Sequence, residues 1–141
     1  MKNIIETLQD SGSFTAFLDL IRIAGMEPML RERGPFTVFV PTDEAFSRVP
    51  KERMDEIRGD PDKAVLIMSY HVVPGSLTSE ELRSMTTIRS NLGTDLVIRS
   101  SDKGITVNGV AIVEADAFCT NGVCHAIGAA LVPPSIDVVV P

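Results

Sequence analysis

Short apolar runs separated by turn-forming residues fill the second half of the chain, and this pattern constrains the fold most. The runs at 96–98, 105–107 and 110–113 are separated by Asp102-Lys103-Gly104 and by Asn108-Gly109. A further Asn-Gly pair at 121–122 lies between runs at 117–120 and 123–127. Because Asn-Gly between β-forming residues is typical of a tight hairpin, this half predicts successive antiparallel strands.

The first half shows helical spacing instead. After the cap candidate Ser13, apolar residues recur every three to four positions until Gly25, which ends the predicted helix: Phe14, Phe17, Leu18, Ile21 and Ala24. Further helices are predicted over 51–57 and from Asp60-Pro61, where Asp is the cap and Pro the first helical residue. The inward face of the latter is predicted to carry Val65, Leu66 and Met68-Ser69.

One strand interrupts the helices. The run 36–40 is rich in β-forming residues, follows the turn Gly34-Pro35 and is ended by Pro41, so it predicts a buried strand. Thr42 is then predicted to cap a short helix whose first turn holds Asp43 and Glu44. Helices first and hairpins later, without βαβ alternation, predict an α+β fold with an antiparallel sheet and the helices packed to one side.

Two smaller features complete this pattern. Residues 70–73 are predicted to leave their helix as an extended segment that turns at Pro74-Gly75. Thr78 and Glu81 have the spacing of a capping box, with Leu82 and Met85 inward in the helix that follows.

Composition excludes several classes of function. The 141 residues, 44% of them hydrophobic, suffice for one domain, predicted to cover 1–141. The net charge of −6, without a basic stripe, argues against nucleic acid as a partner. No apolar run is long enough to span a membrane, and the N-terminus lacks the apolar core of a secretory leader. The chain either stays inside the cell or has lost its leader.

Catalytic and metal-binding motifs are not found in the sequence. Its two histidines, His71 and His125, have no ligand spacing around them, so neither metal nor cofactor is expected. No nucleophile elbow or phosphate loop is present, and helix capping explains Asp43-Glu44 better than a carboxylate dyad does. We therefore expect no enzymatic activity.

Three segments in order resemble the fasciclin domain family: 34–46 (GPFTVFVPTDEAF), 70–75 (YHVVPG) and 121–127 (NGVCHAI) leading to 131–134 (LVPP). The resemblance implies a fasciclin-like wedge of two small, mainly antiparallel β-sheets flanked by short helices, with the first and third segments as neighbouring strands. It also implies a non-enzymatic adhesion module, extracellular, periplasmic or at the cell surface, that is monomeric and binds a protein or an envelope or matrix polymer.

The resemblance also suggests contact residues. Family adhesion stretches correspond to Tyr70-His71 and to 114–118, within which Glu114, Asp116 and Phe118 are the candidate contacts. It further implies that His71 is a structural residue bonded to neighbouring groups. The alternative is a small-molecule-binding domain, or an enzyme, that uses a pocket around Tyr70, His71 and Asp43; a filled core there would favour the adhesion module.

Two expectations concern packing. Six residues of the first and third segments should be largely buried: Phe36, Val38, Val40, Phe46, Val123 and Ile127. If Asn121 and Gly122 form a two-residue turn, Cys119 lies directly opposite Cys124 on the same face of the hairpin. A disulfide and two reduced cysteines both remain open for this pair, since closing so short a loop gains little.

Overall fold

The computed structural model describes residues 1–133 of the chain. Its helices are α1 (Ile4–Ser11), α2 (Thr15–Ile23), α3 (Glu27–Glu32), α4 (Asp43–Ser47), α5 (Lys51–Arg58), α6 (Pro61–Tyr70) and α7 (Ser79–Leu82). Its strands are β1 (Phe36–Pro41), β2 (Val72–Pro74), β3 (Thr87–Arg89), β4 (Asp95–Ser101), β5 (Gly104–Val107), β6 (Val110–Cys119) and β7 (Gly122–Ile127). Pro134, the last residue of the third resembling segment, lies outside the described residues.

The strands follow one continuous order, β2-β1-β7-β6-β5-β4-β3. β1 and β7 run parallel, whereas the other paired strands of the described chain are antiparallel. The predicted α+β class is confirmed, and so is the expectation that the first and third segments are neighbouring strands.

β1 and β7 are buried on both faces. Val38 and Val40 of β1 pack into a cluster formed largely by the helices, whereas Phe39 points into a second cluster that covers the other face of the sheet. β7 alternates in the same way, with Ala126 in the first cluster and Ile127 in the second. Burial on both faces explains why residues 36–40 form a nearly continuous apolar run instead of alternating with polar residues.

Most of the predicted core is observed. Val38, Val40, Val123 and Ile127 have no exposed surface, and Phe46 is 6% exposed. Phe36 is only partly buried, because it begins β1 at the edge of the helical cluster.

Several predicted helix caps are confirmed. The side chains of Thr42 and Asp60 accept backbone hydrogen bonds at the starts of α4 and α6, and Thr78 forms a reciprocal capping box with Glu81. Of the predicted inward residues after it, Leu82 is buried and Met85 is partly buried.

Helix α1 was not predicted, although Asn3 and Glu6 form a capping box of the same kind at its start. Helix α3 was also missed, although Pro28 in its first turn is a recognisable start signal.

The predicted cap of α2 is wrong. Its N-cap residue is Phe14, which offers no side-chain hydrogen bond, and not Ser13. Asp43, 27 residues further along the chain, supplies the cap instead, because its carboxylate accepts from the Ala16 N–H and from the Thr15 hydroxyl, both at 2.8 Å. The acid therefore caps a helix other than its own, through a tertiary contact.

The predicted inward face of α6 is partly wrong. Val65 and Leu66 are exposed by 38% and 37%, whereas Ala64, Ile67 and Met68 are buried. α6 packs against α2, and the buried positions follow the i, i+3, i+4 spacing of one helix face. Tyr70 is also helical, so the extended segment begins at Val72.

The start of β1 and the tip of the β6–β7 hairpin approach closely enough to require glycine. A Cβ atom on Gly122, whose φ is 155°, would lie 1.9 Å from the Phe36 carbonyl oxygen. A Cβ atom on Gly34 would lie 2.5 Å from the carbonyl oxygen of Asn121. Both glycines allow β1 and β7 to pair from their first residues.

The predicted register of this hairpin is wrong. Cys119 pairs with Gly122, and Cys124 pairs with Ala117, so the turn residues are Thr120 and Asn121. Moving the turn by one residue changes the partner of every residue by two positions. Cys119 and Cys124 therefore stay on one face but lie diagonally, not directly opposite.

Candidate functional site

The most exposed part of the predicted contact set lies on β6. Phe118 is 58% exposed, the neighbouring Glu114 is also exposed, and Asp116 is half-buried. Val113 on the same strand is 59% exposed. Val113 is not among the contacts predicted above, because the run 110–113 predicts only a strand of a hairpin. We call these three exposed residues, Val113, Glu114 and Phe118, the β6 surface.

Irregular pairing between β6 and β7 accompanies the exposure of these side chains. The register with β7 shifts between Ile112 and Glu114 and again between Glu114 and Ala117. Asp116 lies in the second shift with a φ of 63°, a conformation that residues other than glycine seldom adopt. β-Bulges of this kind change the direction of the side chains that follow them, as for Phe118 here.

Asp116 holds the second bulge in place. Its carboxylate accepts hydrogen bonds from the backbone N–H of Ser79, at 2.8 Å, and from the Ser79 hydroxyl, at the start of α7. Partial burial alone would raise the pKa of Asp116, but the bonds from Ser79 outweigh it and lower the pKa. Asp116 therefore positions the backbone of the β6 surface, since both of its carboxylate oxygens already accept a hydrogen bond from Ser79.

His125, on the neighbouring strand β7, also holds this bulge in place. Its Nδ1 accepts from the Asp116 N–H at 3.1 Å, and its Nε2 donates to the Leu77 carbonyl at 2.8 Å. The ring is fully buried and stacks on Phe39, with centroids 5.7 Å apart. No local pattern in the chain predicts this link, because the segment before α7 meets β6 and β7 only in the folded protein.

His71 lies in the core. Its Nδ1 donates to the Ile67 carbonyl at 2.7 Å, and its Nε2 accepts from the Leu131 N–H at 2.9 Å. Its exposed fraction is 0%, and Phe17 packs edge-on against the ring at a centroid distance of 6.1 Å. Burial lowers the pKa of His71 to about 4, against the opposing effect of the bond to Ile67, so the imidazole is neutral at pH 7.

Tyr70 is also removed from the surface. It is 3% exposed, and its hydroxyl accepts from the Asn108 amide at 2.8 Å. The expectation that the side chains of Tyr70 and His71 contact a partner is therefore corrected, because both side chains are buried and their polar atoms are hydrogen-bonded within the fold.

Among residues 1–133, Tyr70 and His71 do not join Asp43 in an open pocket, so the alternative site is not formed there. The two aromatic residues are core residues, and Asp43 is committed to the start of α2. Partial burial alone would raise the pKa of Asp43, but the bonds from Ala16 and Thr15 outweigh it and lower the pKa. Within residues 1–133, no three His, Cys, Asp or Glu side chains are grouped so that they could hold a metal ion.

The two cysteines are free thiols whose sulfur atoms lie 3.9 Å apart. The hydrogen bond with Cys124 lowers the pKa of Cys119 to about 6, and the same contact together with burial raises the pKa of Cys124. The pair faces the helical cluster, opposite the side of the sheet that holds His125.

None of the helices in the described part of the chain has the length and apolarity that crossing a membrane requires.

Comparison with known proteins identifies relatives of this arrangement. The fasciclin domain model matches residues 12–133. Protein sll1483 of Synechocystis is 32% identical over 93% of this chain and 73% of its own length. Transforming growth factor-beta-induced protein ig-h3 of Sus scrofa is 32% identical over 96% of this chain, which spans only 20% of that protein. Cell surface glycolipoprotein MPB83 of Mycobacterium bovis is 28% identical over 72% of this chain and 46% of its own length.

The fold has a solved counterpart. A pair of such domains from the insect cell adhesion molecule fasciclin I aligns with a TM-score of 0.80, over 95% of this chain and 52% of that one, at 17% identity. At this identity the likeness concerns the fold.

Proposed function

The chain belongs to the fasciclin domain family, and from this premise we propose that it is a non-catalytic interaction module that binds a protein partner outside the cytoplasm through the β6 surface. One relative whose name describes a role, MPB83 of Mycobacterium bovis, is a cell surface glycolipoprotein. We also propose that the partner can be an envelope or matrix polymer. The chain is further proposed to be a monomer and to form a single domain over 1–141.

The observation that carries this proposal is the exposure of Phe118. Among the aromatic residues of the described chain, Phe118 alone is exposed, at 58%, and Val113 on the same strand is 59% exposed. Aromatic side chains are enriched at protein interfaces and depleted from free surfaces. The bond network of Asp116, Ser79 and His125 fixes the backbone between these two side chains, so little ordering would be needed on binding.

The test compares two double variants in capture of extracellular and envelope proteins on the immobilised domain. Phe118→Ala with Val113→Ala removes the apolar part of the β6 surface. Val65→Ala with Leu66→Ala removes two exposed apolar side chains from α6 and is the matched control.

We expect the wild type and the α6 control to retain the same protein, and the β6 variant to lose it. Equal retention by all three, or equal loss in both variants, would contradict the assignment of the β6 surface. Thermal melts of both variants confirm that the fold is intact.

A further inference from the structure

A second surface, separate from β6, combines positive charge with hydroxyl groups. It is an open cleft of about 640 Å³ between the segment that follows α7 and the paired strands β4 and β5. Arg83 and Ser84 line one side, and Arg99, Ser100, Ser101 and Thr106 line the other. The Ser100 hydroxyl donates to the Arg83 carbonyl at 3.2 Å, which joins the two sides.

The charge of this cleft differs from that of the molecule. The chain has 19 acidic residues and a net charge of −6, yet no acidic residue lines the cleft. Two other clefts, one beside α4 and α5 and one beside α2, both include aspartate. The Arg83–Arg99 cleft is therefore a local positive region on an acidic protein.

Both arginines are available for a ligand. Arg83 and Arg99 are exposed and form no ion pair with any residue of 1–133. Arg48 and Arg58, by contrast, are paired with Glu44 and Asp19. A guanidinium group binds sulfate or carboxylate oxygens through two parallel hydrogen bonds, and two such groups at one cleft favour an anionic ligand.

The other residues that line the cleft indicate what kind of molecule bears the anionic groups. The serine and threonine hydroxyls can donate to and accept from the hydroxyl groups of a sugar. No aromatic residue lines the cleft, so a neutral sugar would lack a ring to stack on. The volume also exceeds what a single inorganic anion would fill.

We propose that the Arg83–Arg99 cleft binds an acidic oligosaccharide, with sulfate or carboxylate groups held by the two arginines and sugar hydroxyls by the serines and Thr106. The proposal does not depend on the β6 surface, so either can fail without the other.

The experiment measures binding of size-defined sulfated dextran and oligogalacturonate by isothermal titration calorimetry, with neutral dextran and inorganic sulfate as comparison ligands. Arg83→Gln with Arg99→Gln removes the guanidinium groups of the cleft. Arg22→Gln with Arg48→Gln is the control, because it changes the net charge equally at exposed arginines elsewhere.

We expect the wild type and the control to bind an acidic oligosaccharide more tightly than neutral dextran or sulfate, with an affinity that falls as salt is added. The cleft variant should bind at least about tenfold more weakly, since each ten-fold change corresponds to about one charge-assisted hydrogen bond. Melting temperatures are measured for both double variants, because the control removes the ion pairs of Arg22 and Arg48 whereas the cleft variant removes none within residues 1–133.

Four outcomes would overturn the proposal: no binding by the wild type, equal affinity for neutral dextran, equal loss in both double variants, or binding of inorganic sulfate as tight as that of the oligosaccharides. The last would indicate a small-anion site and the third a general effect of charge.

Discussion

At the scale of single residues, the two histidines show how an imidazole can serve a fold without chemistry. Each uses one ring nitrogen as a donor and the other as an acceptor, and the partners are backbone groups. Neither nitrogen is left for a substrate or a metal ion. Two of the four bonds join segments that are distant in the chain: His71 to Leu131, 60 residues away, and His125 to Leu77, 48 residues away.

Burial of His71 predicts a dependence of stability on pH. Its pKa is about 4 in the folded chain and near 6.5 when unfolded, so the unfolded state binds the proton first as the pH falls. The contribution is fully present above about pH 6.5 and is lost between that pH and 4, amounting to about 3 kcal/mol at most.

Urea unfolding between pH 7 and pH 4 measures this effect. His71→Ala should lower the free energy of unfolding at pH 7 and should weaken its decline toward pH 4, because other ionisable groups are common to both proteins. Parallel pH profiles for the wild type and the variant would show that His71 titrates normally in the folded chain.

The cysteines give a prediction at the same scale. Diagonal neighbours on paired strands have Cα atoms about 7–8 Å apart, whereas a disulfide needs about 4.4–6.8 Å. The observed register therefore favours two reduced thiols over the bond that direct opposition would allow.

Intact mass after denaturing alkylation, without reductant, tests this expectation. Protein purified in air should take up two alkyl groups. A mass two hydrogens lighter, with no alkylation, would mean that the strands move to close a Cys119–Cys124 disulfide.

At the scale of elements, the tip of the β6–β7 hairpin organises the N-terminal helices. The Asn121 side-chain oxygen accepts from the Ile4 N–H at the start of α1, at 3.0 Å. Its amide donates to the Leu30 and Arg33 carbonyls at the end of α3, at 2.7 and 2.8 Å. One turn residue thus satisfies backbone groups at the ends of two helices.

Asn121→Ala should consequently lower the free energy of unfolding by about 2 kcal/mol, because two partly buried backbone groups and one exposed carbonyl lose a partner. Amide hydrogen exchange in α1 should accelerate more than exchange in β4 and β5, which do not contact Asn121.

Asn91→Ala is the matched control, since Asn91 is an exposed turn residue whose side chain makes no hydrogen bond to a described residue. If both variants showed the same small loss of stability, the link from the hairpin to α1 and α3 would have no energetic weight.

At the scale of the whole molecule, the parallel pair β1 and β7 separates two apolar clusters and belongs to both. Side chains of β1 and β7 pack into the helical cluster on one face of the sheet and into the second cluster on the other face. We therefore expect the chain to unfold in one cooperative transition, as a single domain would.

Phe46→Ala tests this shared core by removing a side chain from the helical cluster. Phe46 is 6% exposed, so its truncation should cost about 3–5 kcal/mol of unfolding free energy through the cavity left behind. Phe118→Ala makes the same chemical change at a 58% exposed position and should cost less than about 1 kcal/mol.

Chemical denaturation followed by fluorescence of Tyr70 and by far-ultraviolet circular dichroism gives both values. The two probes should report one midpoint for each variant. Separate midpoints, or a loss below about 1 kcal/mol for Phe46→Ala, would contradict the shared core.

The sequence by itself determined the α+β class and many local features of the fold. The caps Thr42 and Asp60, the Thr78–Glu81 box and the turns between β4, β5 and β6 depend on residues that are close in the chain. Burial of Val38 and Val40 followed from a continuous apolar run. Glu114 and Phe118 could be proposed as contacts only through the family resemblance, and both prove to be exposed.

Only the tertiary structure decided the remaining features, because each depends on residues far apart in the chain. The Asp43 cap of α2 comes from a segment 27 residues away, and the buried face of α6 was set by packing against α2. The β6–β7 register has its turn one residue earlier than the Asn-Gly preference predicted, where Asn121 bonds to α1 and α3 and Gly122 meets Phe36. Local propensity offers several turns and faces of similar free energy, and contacts between distant segments select among them.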